Sequence, residues 1–270
     1  MKNKNKIVWI SSYPKSGNTW IRVALNLALT GHLNLNKIQI NSFSGLMLYH
    51  VKDLKKLVMP GDVRHFWEKA QNSIVSKLDE NALICLKTHN VSGDIGGVKF
   101  PSTRFTAGFI YIVRDPRDVA VSYSNHFNIS IDDAIKVIMK EDNFIFKSSS
   151  LYRSEYISSW NNHVLSWSKS KFPRLILKYE DLLDDAYHCF EKLFKFCNIT
   201  PKIDIDLIVK LSSFRNLVQL ETKFGFKESN SYGTPFFNKG ESKSWMNYPK
   251  NSFNKIEDLY GDLMSKFKYF

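Results

Sequence analysis

Cysteine is scarce: the 270-residue chain has only Cys85, Cys189 and Cys197, with no CxxC spacing and no Cys/His ligand pattern. An odd, sparse set argues against a disulfide scaffold or a zinc site and for a reducing compartment. Long apolar runs are missing too. The Lys/Asn-rich N-terminus leads into a short run, Ile7–Ile10, that ends in Ser-Ser-Tyr-Pro. The chain is therefore expected to carry neither a signal peptide nor a membrane span and to be cytoplasmic. Arginine-rich tracts, an RNP motif and a helix-turn-helix pattern are lacking, so no nucleic-acid partner is expected. The net charge is nonetheless +12, with lysines spread along the chain. That surplus reads as a solvated surface or as preparation for an anionic ligand. No repeat or low-complexity linker divides the sequence, and its length suits one domain over residues 1–270.

Short β-prone apolar runs are present at Ile7–Ile10, Leu83–Leu86, Phe109–Val113 and Leu175–Leu177. Helical periodicity covers about Thr19–Thr30, Val63–Leu78, Pro116–Phe127, Ser130–Lys140, Tyr152–Ser170 and Asp181–Cys197. Continuous apolar strands alternating with helices predict an α/β fold, a single central parallel sheet flanked by helices. Ligands in such sheets bind beyond the carboxyl ends of the strands. Each predicted strand is followed there by polar groups: Lys15, then Lys87-Thr88-His89, then Arg114-Asp115, then Lys178-Tyr179-Glu180-Asp181. Groups far apart in sequence are thus predicted to share one cleft. Further on, Ile205–Leu220 reads as a helix, Glu221–Lys243 as a long lid or binding loop, and Asn251–Lys266 as a closing helix.

The first strand, loop and helix carry the most information. A loop that enters a helix N-terminus offers free backbone N–H groups and the positive end of the dipole, which suits phosphate or sulfate. Lys15, Ser16 and Thr19 add donors. The Walker pattern G-x-x-x-x-G-K-[ST] is not met, because the earlier glycine is missing and Lys15 precedes Gly17. That disfavours an ordinary nucleoside triphosphatase.

Tyr13-Pro14-Lys15-Ser16-Gly17-Asn18-Thr19-Trp20 resembles the 5′-phosphosulfate loop of cytosolic-type sulfotransferases, a pattern close to YPKSGTTW, from which only Asn18 departs. Tyr111-Ile112-Val113-Arg114-Asp115-Pro116-Arg117-Asp118-Val119-Ala120-Val121-Ser122-Tyr123 resembles the same family's 3′-phosphate motif. Weaker matches downstream extend the resemblance over nearly the whole chain. It implies a P-loop-like fold that binds 3′-phosphoadenosine 5′-phosphosulfate (PAPS) in its strand-loop-helix. It also implies transfer of the sulfuryl group to a hydroxyl, less often an amine, without a metal, leaving adenosine 3′,5′-bisphosphate (PAP).

The resemblance assigns roles residue by residue. His89, in Leu86-Lys87-Thr88-His89, would take the proton of the acceptor hydroxyl, a task that suits an imidazole at neutral pH. Lys15 would face the bridging oxygen on which charge grows, and Lys87 would neutralise the transferring group. Ser16, Gly17, Asn18 and Thr19 would hold the 5′ end. Arg114 at a strand end and Ser122 two turns into the next helix would share the 3′-phosphate. Trp20, Tyr179 and Phe214, the last in Ser212-Ser213-Phe214, would flank adenine, although Trp20 and Phe214 also fit plain core packing. Phe236-Phe237-Asn238-Lys239-Gly240 resembles the R-K-G element imperfectly. Asn238 stands in place of the usual Arg, while Lys239 and the Gly240 backbone keep the means to bind the 3′-phosphate. Asp115, Arg117 and Asp118 read as helix capping and surface pairing.

Two other readings stand beside this one. One is a phosphoryl-transfer enzyme with Glu180 and Asp181 as metal ligands; the other is a non-catalytic anion-binding module. The acceptor is expected to be a small molecule, glycan or lipid hydroxyl. Its pocket is expected from Phe43–Val51, Phe66-Trp67, Asn90–Arg104, Tyr123–Phe127 and Glu221–Tyr232, with the surplus positive charge tilting weakly toward polar or acidic acceptors. Oligomeric state stays open, and the Lys/Asn/Ile-rich usage points to a microbial source.

Overall fold

The computed structural model describes residues 6–38, 63–79, 82–95, 98–145, 155–229, 235–237 and 240–270, without the side chains of 63–67 and 98. Four strands make the central sheet: β1 (Ile7–Ser12), β2 (Ile84–Thr88), β3 (Thr106–Val113) and β4 (Arg174–Lys178). They lie in the order β2-β1-β3-β4, every pair parallel. All four predicted strands are present, and β2 and β3 are longer than the apolar runs that announced them. Ser11 lies opposite Thr88, Ser12 opposite Ile112 and Val113 opposite Lys178. The carboxyl ends therefore line up along one edge, as predicted.

Both faces of the sheet are covered, which is why β1 and β3 can be apolar at successive positions. Alternation divides them. Trp9, Phe109 and Tyr111 turn to one core with helices α2 (Val63–Val75), α3 (Pro116–Phe127), α4 (Ile131–Met139), α5 (Trp160–Ser168) and α10 (Asn254–Lys266). Val8, Ile10, Ile110 and Ile112 turn to the other, with α1 (Asn18–Thr30), α6 (Tyr179–Asp184), α7 (Ala186–Phe196), α8 (Ile205–Leu211) and α9 (Phe214–Phe224).

Three predicted helices are divided or shortened, each at a Ser or Asp whose side chain bonds the backbone instead of continuing the helix. The helix expected over Tyr152–Ser170 begins at Trp160, where Ser159 caps it by accepting from the Asn162 N–H. Glu155 and Tyr156 form instead a two-residue antiparallel ladder with Phe144 and Ile145. The helix expected over Asp181–Cys197 breaks at Asp185, which accepts from the His188 N–H at 3.1 Å. The one expected over Ile205–Leu220 breaks at Ser212-Ser213, and Ser213 caps α9. Because α9 runs on to Phe224, the predicted long loop starts later than Glu221.

Candidate active site

A cavity of about 790 Å³ lies at the aligned carboxyl ends of the sheet. Its walls include Lys15, Gly17, Asn18, Thr19, Trp20, Lys87, His89, Arg114, Ser122, Tyr179, Phe214 and Gly240. Twelve of the predicted site residues are thus brought together. Ser16 and Ser212 are buried and do not line it. Asn238 and Lys239 lie outside the described residues, as does the expected acceptor segment Phe43–Val51 and the side chains of Phe66 and Trp67.

The loop before α1 is held by unusual backbone. Lys15 and Gly17 both have positive φ, 68° and 99°. A Cβ on Gly17 would lie 2.7 Å from Tyr179 Cδ2, so only glycine fits there. No side chain caps α1. The Oγ of Ser16 is buried without a partner among the described residues, as befits a loop built to meet a polar ligand. Asn18 departs from expectation: its amide donates to the Ile10 carbonyl at 3.1 Å and to Ser12 Oγ at 3.4 Å. The side chain that was expected to face a phosphate is committed to β1. Lys15 Nζ stands 4.6 Å from the centre of the Phe236 ring. Burial first, and the neighbouring Arg114 next, lower its pKa to about 8.

His89 follows β2 and makes three bonds to described residues. Its Nδ1 lies 2.7 Å from the Ser12 carbonyl oxygen. A carbonyl only accepts, so Nδ1 carries the hydrogen, and the neutral ring has its lone pair on Nε2. Its backbone N–H donates to Glu155 Oε1 at 2.7 Å. Its carbonyl lies 3.0 Å from His163 Nε2, which must therefore be the donor. His163 Nδ1 then accepts from the Tyr111 hydroxyl at 2.8 Å. Burial lowers the His163 pKa to about 4, so this ring stays neutral.

Arg114 is placed by the end of β3. Its Nη1 donates to the Lys15 carbonyl at 3.0 Å and its Nη2 to the Glu241 carbonyl at 2.9 Å. Its Nε is buried and has no partner among the described residues. Ser122, two turns into α3, lines the same cavity. Asp115 caps α3 by accepting from the Arg117 N–H at 2.9 Å, as expected. The expected surface pairing is corrected: Arg117 is buried and bonds Asp115, Glu257 and the Tyr269 carbonyl, under the ring of Trp245. Asp118 is buried too. It accepts from the Lys243 N–H at 2.7 Å and the Trp245 N–H at 3.1 Å, tying the C-terminal segment to the cavity wall.

The expected adenine flank has a different geometry from a sandwich. Trp20 and Phe214 meet edge to face, 5.4 Å apart at 80°, and a Cβ on Gly240 would run into the Phe214 ring. Ser212 acts behind them, its Oγ accepting from Trp20 Nε1 at 3.4 Å. Tyr179 lies beneath Arg114, and burial pushes its hydroxyl up to about 12.

Three further residues shape the cavity, singled out by the sequence only as members of the expected acceptor segments. Glu228 lines the cavity, pairs with the buried Arg22 at 2.9 Å, and accepts from the Thr19 hydroxyl at 3.5 Å. Burial raises its pKa, but Arg22 and Lys87 outweigh that and hold it below the usual carboxylate value. His126 also lines the cavity, its pKa lowered to about 4 by burial and then by Lys15. Glu221 accepts from the N–H groups of Phe236 and Phe237, at 2.7 and 2.9 Å, and shapes the aromatic wall. Isolated charged or imidazole side chains carry no local signal of such particular roles. Of the expected acceptor segments, Tyr123, Asn125, His126, Phe127 and Glu228 line the cavity, and the described part of Asn90–Arg104 does not. Glu180 and Asp181, the metal ligands of the rival reading, do not line it either; Glu180 instead accepts from the Asp115 N–H at 3.1 Å.

Three cations, a phosphate-ready loop and an oriented imidazole at the edge of a parallel sheet define an enzyme that transfers a group from an anionic, nucleotide-type donor. The sequence pattern of the sulfotransferase domain matches residues 5–268, and the chain belongs to that family. The chain is 30% identical to flavonol 3-sulfotransferase of Flaveria bidentis over 93% of its own length and 80% of the relative's. It is 26% identical to sulfotransferase 1E1 of Cavia porcellus, over 93% and 80%. A retinol dehydratase solved with retinol and PAP shares the fold, with a TM-score of 0.64 at 19% identity, over 98% of this chain and 82% of that one. The chain is a sulfotransferase. Among the described residues no helix is long and apolar enough to cross a membrane.

Proposed function

We propose that this enzyme works in the cytoplasm, without a metal, on the hydroxyl of a small aromatic or lipid-like acceptor, with His89 as its general base. His89 Nε2 takes the acceptor proton as the oxygen attacks sulfur. The bond from sulfur to the 5′-phosphate oxygen breaks, and the electron pair stays on that oxygen, beside Lys15. Lys87 steadies the sulfuryl oxygens in flight. Charge grows at Lys15 during the step, so a cation there favours the transition state over the ground state. Arg114 and Ser122 hold the 3′-phosphate, for which Arg114 Nε, without a partner among the described residues, supplies a donor.

The observation that carries the reading is the pairing of His89 Nδ1 with the Ser12 carbonyl, because it leaves the basic nitrogen on Nε2 of a ring that lines the same cavity as Lys15. The acceptor class rests on the wall made by Tyr123, Phe127, Phe144, Ile145 and Tyr248. Tyr123 and Phe127 lie 4.5 Å apart within it. Such a wall favours a flat apolar body over the acidic acceptor that net charge alone suggested. Relatives named for flavonols and a fold neighbour solved with retinol agree with that class.

The test is a panel of phenols, flavonols, steroid alcohols and sugars, incubated with sulfur-labelled PAPS and a chelator. Label moving to a planar hydroxylated acceptor supports the reading. Binding of PAP with no transfer to any acceptor would sink it in favour of a non-catalytic module.

A further inference from the structure

We infer that Glu155 is a positioning residue for the catalytic base, tying the backbone of His89 to the wall that receives the acceptor. The inference rests on the reading of His89 as that base.

Glu155 is 1% exposed, and its Oε1 accepts from the His89 N–H at 2.7 Å, across 66 residues of sequence. A buried carboxylate needs bonds that compensate for lost hydration, and the one to His89 is among them. At 2.7 Å this bond is short, and it acts on the residue whose placement governs proton transfer. Two further restraints on His89 come from the sheet and a helix: the Ser12 carbonyl at the end of β1, and His163 in α5. Glu155 adds a different direction. Its own backbone pairs with Ile145 in the short antiparallel ladder, and Ile145 and Phe144 line the cavity. Neighbouring Tyr156 is tied the same way, its N–H donating to Asn90 Oδ1 at 2.8 Å. The segment that carries His89 and Asn90 is thereby bolted to the strand pair that faces the acceptor. A base must lie within hydrogen-bond reach of the proton it removes, and a displacement of about 1 Å can cost about a hundredfold in rate.

The experiment compares wild type with Glu155→Ala, Glu155→Gln and His89→Ala. It reads kcat, the donor KM, PAP affinity by calorimetry and the thermal midpoint. Glu155→Ala should lower kcat by about tenfold or more, with PAP affinity within about twofold of wild type. Glu155→Gln keeps an oxygen that accepts the His89 N–H, and should recover kcat to within about threefold. Should Glu155→Ala not fold, Glu155→Asp withdraws the carboxylate by one methylene and should show the same split between kcat and PAP affinity. Wild-type kcat in the Ala or Asp variant, or a loss of PAP affinity matching the loss of kcat with no rescue by Gln, overturns the inference. An inactive His89→Ala beside a fully active Glu155→Ala removes this inference alone. A fully active His89→Ala removes the reading of the base and this inference with it.

Discussion

The guanidinium of Arg114 lies 4.2 Å over the ring of Tyr179, although the two residues come from motifs 65 positions apart. The sheet register explains the contact. Val113 and Lys178 are paired across β3 and β4, so the residues that follow them leave the sheet side by side. Gly17 closes on the same ring, so the loop before α1, the end of β3 and the start of α6 share one contact.

Gly17→Ala should therefore injure both fold and donor site. The new Cβ would sit 2.7 Å from Tyr179 Cδ2, at a φ of 99° that side chains rarely adopt. A loss of about 1–3 kcal/mol in denaturant unfolding is expected, together with weaker PAP binding as Tyr179 shifts under Arg114. An alanine variant with wild-type stability and PAP affinity would contradict this packing.

Lys15 gives the donor step a pH limit. In the free enzyme burial and Arg114 place its pKa at about 8, so it is a cation below that pH and neutral above it. The value of kcat/KM for PAPS should fall as pH rises through about 8. Lys15→Arg should carry that fall to higher pH, since a guanidinium keeps its proton. Lys15→Ala should abolish the limb and cost about a hundredfold or more in kcat. A pH–rate profile of the three enzymes checks the assignment.

His163 makes stability fall in mild acid. The unfolded chain protonates this ring near pH 6.5 and the folded chain only near 4. Its contribution is thus fully present above about 6.5 and is lost as pH falls through that window to about 4, at most about 3 kcal/mol. Protonation would also remove the Nδ1 lone pair that accepts from Tyr111. His163→Asn should be less stable at pH 7 and should lack this part of the pH dependence. Urea midpoints of the two proteins from pH 4 to 7 make the comparison.

The sheet and the donor-side residues were largely legible because parallel strands buried on both faces read as unbroken apolar runs. The groups at their carboxyl ends must then converge, which brought Lys15, Lys87, His89, Arg114 and Ser122 to one cavity. Helix breaks were harder to read. Asp185 and Ser213 fit an amphipathic pattern as well as they fit a cap, and only their bonds to His188 and Asn216 decide between the two. Arg117 and Asp118 looked like surface charges beside a helix start, since their partners Glu257 and Lys243 lie more than a hundred residues away. Glu155 was silent for the same reason, its partner His89 lying 66 residues away. Asn18 shows the limit of a motif: the residue stands where expected, yet its amide turns to Ile10.

The central claim is that His89 is the base of a sulfuryl transfer from PAPS. Its most direct test is single-turnover transfer of labelled sulfuryl group by wild type and His89→Ala, each saturated with PAPS and with PAP affinity measured on the same samples. The account predicts a loss of about a hundredfold or more in the transfer rate with PAP affinity unchanged. Transfer by His89→Ala at the wild-type rate would contradict it.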